Sequence, residues 1–154
     1  MFGKTEILSA ATAPFAPLDG SHALYTTLTN RYNTPGWSWR FTLQNVYIPA
    51  SSNYNCTVGF KIVQNDNRGG YPVQAALIID NQYVNPMQNG RFVGMTTGPE
   101  TALWKTLGGA GVANAQDQHT IVVIVYFGSG VNLAASTTFA IDNLQCFPTG
   151  QCAM

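Results

Sequence analysis

The chain has 154 residues, with seven acidic and seven basic side chains, and only 9% of it is charged against 45% hydrophobic. A neutral chain with neither sign gathered in a block offers no field for nucleic acid or anionic lipid. No stretch approaches the roughly 20 continuous apolar residues that a membrane-spanning helix needs. What remains is one domain of ordinary size, able to close a core without staples and covered by Thr, Ser, Asn, Gln and Gly.

In chain order, residues 1–18 form an N-terminal arm. Met1-Phe-Gly-Lys4 lacks the basic-then-apolar order of a signal peptide, and Pro14 and Pro17 allow at most a short strand over residues 7–10 followed by extended chain. The main domain, residues 19–154, opens with the turn Asp19-Gly20 and a strand over residues 22–28. From Trp37 to Ile48, Trp37, Trp39, Phe41 and Leu43 share one face, then Val46 and Ile48 shift the apolar phase to even positions. A phase flip near Asn45 predicts a β-bulge or a strand that changes sheets.

Tyr54, Cys56, Val58, Phe60 and Ile62 then alternate with Asn55, Thr57, Gly59 and Lys61, a strand with one face in the core. A strand over residues 73–80 turns at Asp80-Asn81 into Tyr83-Val84 as a hairpin. Residues 92–93 and 102–107 are weaker strand candidates between glycine-rich loops. The run from Thr120 to Phe127 is almost wholly β-branched or aromatic, the pattern of a strand covered on both faces, and residues 137–144 echo it across a glycine-containing reversal. Helical periodicity is absent over any three turns. Short strands separated by turn signals predict an all-β fold, an antiparallel β-sandwich of jelly-roll type.

Three cysteines are too few for a disulfide framework and too scattered for a tetrahedral zinc site. The short turn-forming loop between Cys146 and Cys152 favours that pair in an oxidising compartment; Cys56 with Cys146 is the rival, tying two strands. Asn55-Cys-Thr57 reads as an N-glycosylation acceptor, balanced by a chance sequon beside a buried thiol.

Several stretches resemble the CenC-type carbohydrate-binding modules, fungal branch, which are jelly rolls related to galactose-binding domains. The resemblance runs from Asp19-Gly-Ser-His-Ala-Leu24 to Cys146. It is carried by Phe41-Thr-Leu-Gln-Asn-Val46, Ser52-Asn-Tyr-Asn-Cys-Thr-Val-Gly-Phe60, Ala75-Ala-Leu-Ile-Ile-Asp-Asn-Gln82, Trp104 and the closing Phe139-Ala-Ile-Asp-Asn-Leu144. It implies binding to polysaccharide without catalysis, and a structural calcium ion at Asp142. The family's opening asparagine-proline-glycine-phenylalanine-glutamate passage and its tryptophan are missing here, and with them the acidic partner of that calcium site, unless Glu6 or Asp19 substitutes.

Neutral sugars are held by aromatic faces with a few placed polar groups. The ligand candidates are therefore Trp37, Tyr71, Tyr83 and Trp104, with Arg40 and Gln74 as polar partners, whereas the phase of Trp39 assigns it to the core. Most of the acids sit in turns, and neither a Gly-x-Ser-x-Gly elbow nor a His-Glu-x-x-His helix occurs, so an enzyme is not expected. The expected protein is secreted, extracellular or in a cell wall, and binds neutral polysaccharide. The competing expectation is a structural subunit of a surface layer or fibre, a homo-oligomer or filament in which the arm completes a neighbour's sheet.

Overall fold

The structure is a computed structural model that describes residues 2–13, 16–29, 37–49, 53–65, 73–84, 103–112, 116–127 and 136–148. Among these residues nine strands run β1 (Phe2–Ser9), β2 (His22–Thr29), β3 (Trp37–Tyr47), β4 (Asn53–Asn65), β5 (Val73–Ile79), β6 (Gln82–Val84), β7 (Lys105–Val112), β8 (Gln118–Phe127) and β9 (Ser136–Pro148). They form a five-stranded sheet, ordered β1-β2-β9-β4-β7, and a four-stranded sheet, ordered β3-β8-β5-β6, with every pairing antiparallel. From β2 to β5, and again from β6 to β9, each successive strand lies in the other sheet, which is the jelly-roll sandwich expected of this pattern. Residues 92–93 and most of the loop before Trp104 lie outside the described residues.

The inner faces close on Val58, Phe60, Ile62, Leu77, Leu107, Ile121, Val123, Val125 and Phe139, each 1% exposed or less apart from Ile121 at 2%. Burying side chains of this size stabilises by about 1.5–3 kcal/mol apiece. Trp39 belongs to this core, stacked beside Phe41 at 6.4 Å and edge-on to Phe139 at 5.0 Å. The run at β8 is covered on both faces only at its centre. Ile121, Val123 and Val125 point inward and Ile124, on the outer face, is 0% exposed, but Val122 and Tyr126 beside it are half-buried.

The predicted phase flip in β3 is a bulge. Leu43 pairs with Ile121 and Val46 with His119, so Gln44 and Asn45 face the single residue Thr120. Asn45 has φ 58°, a left-handed conformation that Asn tolerates better than most residues. At the predicted hairpin Asp80 and Asn81 both have positive φ, as the tight turns matching strand twist require, and Ile79 pairs with Gln82.

Two expectations change. The arm is not detached: Phe2–Ser9 is a full strand, eight residues rather than residues 7–10, paired along its whole length with β2 of its own chain. It occupies the edge position for which the sequence supplied no family-like opening. Cys146 pairs with Cys56, not with Cys152. The two stand opposite each other on β4 and β9, with Cα atoms 4.1 Å apart and a sequence separation of 90. Register across 90 residues brings them together; Cys152 lies outside the described residues.

Candidate functional site

The sequence-derived ligand candidates divide between the two outer faces of the sandwich. On the four-stranded sheet, strand alternation points the even residues of β5, of β8 and of β3 ahead of its bulge outward, along with Tyr83 of β6. Register then sets three transverse rows: Ser38, Tyr126 and Gln74; Arg40, Ile124 and Ala76; Thr42, Val122, Ile78 and Tyr83. Arg40, Gln74 and Tyr83, chosen from sequence, thus lie within two rows of one another on one surface.

Tyr126 completes the group. Its hydroxyl is 2.8 Å from that of Tyr83, although their strands are separated by β5 and their rows by the Arg40 row. The residue of β5 between the two is Ala76, whose small side chain lets the phenols meet above it. Ala76 and Ile124 form an apolar floor, 6% and 0% exposed, beneath a rim of phenols, amide and guanidinium. Burial, then the hydrogen bond and the charge of Tyr83, push the Tyr126 hydroxyl up to about 12, against the opposing pull of Arg40. Tyr83 itself remains 42% exposed. Tyr47, 67% exposed and opposite Gln118, extends the aromatic surface beyond the bulge.

Sequence reasoning missed Tyr126 because it sits in a run read as buried on both faces. The signal available was its position, the only side chain of Ile121 to Tyr126 with a polar end, in the outward phase of β8. Trp37 pairs with Phe127 at the end of β3. Tyr71 lies outside the described residues.

Trp104 is elsewhere. Its indole N–H donates to the carbonyl of Ala16 at 3.0 Å, on the outer face of the five-stranded sheet, where residues 16–19 cross β4 and β9. A Cβ at Gly59 would stand 2.3 Å from Leu18 Cδ2, 3.1 Å from the Asp142 carbonyl oxygen and 3.4 Å from Trp104 Cε3, so the missing side chain is what lets this strap lie flat. Trp104 holds chain to chain there and does not join the tyrosine face.

Asp142 belongs to the same strap. Its Oδ2 accepts from the N–H groups of Leu18 at 2.8 Å and Asp19 at 3.2 Å, and its Oδ1 from the N–H of Asn143 at 2.7 Å. A two-to-one bulge aims it: Thr57 pairs with Gln145 and Gly59 with Asp142, leaving Asn143, at φ 50°, and Leu144 opposite Val58. Three N–H donors converging on a carboxylate describe an anchor for the backbone rather than a cation cage, which needs six or more oxygens. Among the described residues, no three His, Cys, Asp or Glu side chains gather as metal ligands, and the Asp142 carboxylate is engaged by these three N–H groups.

Asn55 is exposed on β4, an internal strand, with its neighbours Ala110 on β7 and Phe147 on β9. The middle residue of its sequon, Cys56, is in the disulfide.

Neither a family model nor a curated protein matches the chain. Solved structures do. The C-terminal domain of EclA, described as a sugar-binding protein, aligns over 89% of this chain and 86% of its own at 15% identity, with a TM-score of 0.53. A structure described as carbohydrate-binding modules from the β-sandwich superfamily with promiscuous specificity aligns over 94% of this chain at 12% identity and TM-score 0.53; the chain spans 54% of it. The CBM22-1 xylan-binding domain of Paenibacillus barcinonensis Xyn10C aligns over 97% and 83% at 13% identity and TM-score 0.48. At these identities the likeness is one of fold.

Proposed function

We propose that this chain is a non-catalytic carbohydrate-binding module acting outside the cell, and that the outer face of the four-stranded sheet holds a neutral polysaccharide. One observation carries the reading: Arg40, Gln74, Tyr83 and Tyr126 converge on that face over an apolar floor. Phenol rings supply surface for the C–H faces of a sugar, while hydroxyl, amide and guanidinium groups supply donors and acceptors for its hydroxyls. The fold shared with structures described as sugar-binding supports the same reading, as does the low charge of the whole chain. The resemblance to the CenC-type modules fits it in pattern, and the Cys56–Cys146 disulfide fits an oxidising, extracellular setting.

The test is retention on insoluble glucan, xylan, chitin and mannan, with a polyuronate as a charged control. Retention on at least one neutral polymer, weakened in Arg40→Ala and Tyr83→Ala, is the expected result. No retention on any polymer, or retention on the polyuronate alone, contradicts it.

A further inference from the structure

A sheet edge is a row of unpaired backbone groups, and natural sandwiches blunt such edges with bulges, short strands, prolines or charged side chains, while glycine weakens a strand. Three of the four edge strands among the described residues are blunted. Strand β3 is bulged at Asn45, β6 is three residues long, and β7 runs through Gly108 and Gly109, both at positive φ. The fourth, β1, carries Lys4 and Glu6, whose charges offset each other, is regular over eight residues and among the described strands pairs only with β2. It also carries an exposed large apolar side chain, Ile7 at 72%, on the face that elsewhere lines the core.

Its sequence is self-complementary. When two copies of one strand pair antiparallel about a two-fold axis, the numbers of opposed residues have a constant, even sum. A sum of 8 puts Lys4 opposite Lys4, and a sum of 12 puts Glu6 opposite Glu6. Only a sum near the strand's middle, with Thr5 opposite Thr5, sets Lys4 of each copy against Glu6 of the other, and it also seats Ile7 opposite Gly3, which has no side chain to clash with it. Like charges directly opposite each other destabilise a pair, so the charges select this register. Within one chain Lys4 and Glu6 already pair at 2.6 Å with side chains 73% and 38% exposed. Such a surface pair is weak and re-forms across the interface at little cost.

We infer that β1 is a homodimerisation edge, on which a second copy of this chain adds its own β1 in the Thr5-centred two-fold register and joins the two five-stranded sheets into one of ten strands. The arm stays on its own sheet, unlike the exchange of arms expected from sequence. A two-fold contact closes at two copies, so it gives dimers and not filaments. The tyrosine face lies on the other layer and is left open in each copy; the dimer does not depend on what that face binds.

Sedimentation velocity of the full chain, between about 10 μM and 1 mM, is the direct test. A monomer–dimer equilibrium is expected. Glu6→Lys weakens it about tenfold or more, and the Lys4→Glu/Glu6→Lys exchange restores it to within about threefold. Strand-exchanged dimers, in which Glu6 opposes Tyr25, are indifferent to both changes. Thr5→Cys in a Cys152→Ser background forms a covalent dimer on mild oxidation, because the two-fold axis sets residue 5 against itself. A monomer over the whole range, a dimer unmoved by Glu6→Lys, or a mass rising past two copies overturns the inference.

Discussion

The two outer faces of the sandwich are built from similar residues and do different things. On the five-stranded sheet an indole, a carboxylate and a glycine face outward, and the chain lays residues 16–19 across them: Trp104 bonds Ala16, Asp142 gathers three N–H groups, and Gly59 makes the room. On the four-stranded sheet two phenols, an amide and a guanidinium face outward with Tyr83 left 42% exposed. The lesson is that an aromatic beside a polar side chain is a ligand candidate only after the chain's own backbone has been given the first claim on it. Trp104 and Asp142 bind the chain's own backbone; on the opposite outer face Arg40 and Tyr83 are exposed and Gln74 and Tyr126 half-buried.

The contrast can be broken from the structural side first. Opening the Cys56–Cys146 bridge, which closes a loop of about 90 residues, removes up to roughly 4–5 kcal/mol by the chain-entropy account of cross-links. Thermal unfolding with and without reductant reads it, and an unchanged midpoint refutes the pairing. Asp142→Ala leaves three N–H groups without their acceptor and lowers stability by about 2–3 kcal/mol in denaturant titration. Chelator treatment of the unaltered protein leaves that stability unchanged, since the carboxylate serves the backbone. Tyr83→Ala acts on the other face: it weakens retention on polysaccharide about tenfold, as the loss of one aromatic contact does, and moves the unfolding midpoint little.

The smallest effect is a pH dependence. The Tyr126 hydroxyl is raised from 10 to about 12 in the folded protein, so the folded state holds this proton more tightly than the unfolded chain does. That contribution is complete below pH 10 and is lost as pH rises toward 12. Tyr126→Phe therefore flattens the fall in stability between pH 10 and 12, and a variant with the same alkaline slope as the parent shows that the phenol pair is not formed.

What the sequence revealed followed from period and phase. Alternation from Tyr54 to Ile62 gave β4, the shift from Leu43 to Val46 gave the bulge at Asn45, and Asp80-Asn81 gave the hairpin, because each is a local consequence of side-chain direction and backbone preference. Arg40, Gln74 and Tyr83 were also within reach of a local reading, since each is polar or amphipathic in the outward phase of its strand. The pairing of Cys146 with Cys56, the meeting of Tyr83 with Tyr126 above Ala76, and the docking of residues 16–19 on Asp142 were not. All three depend on register between strands far apart in sequence. No local pattern encodes that register when every strand offers a similar apolar face.

The central claim is that the face bearing Arg40, Gln74, Tyr83 and Tyr126 is the binding surface and the strapped face is not. Backbone amide shifts measured while a soluble oligosaccharide of a retained polymer is titrated into the labelled protein test it most directly. The account predicts that shifts concentrate on β3, β5, β6 and β8 around those four residues and leave Leu18, Gly59, Trp104 and Asp142 still. Shifts centred on Trp104 and residues 16–19, with Tyr83 and Tyr126 unmoved, would contradict it.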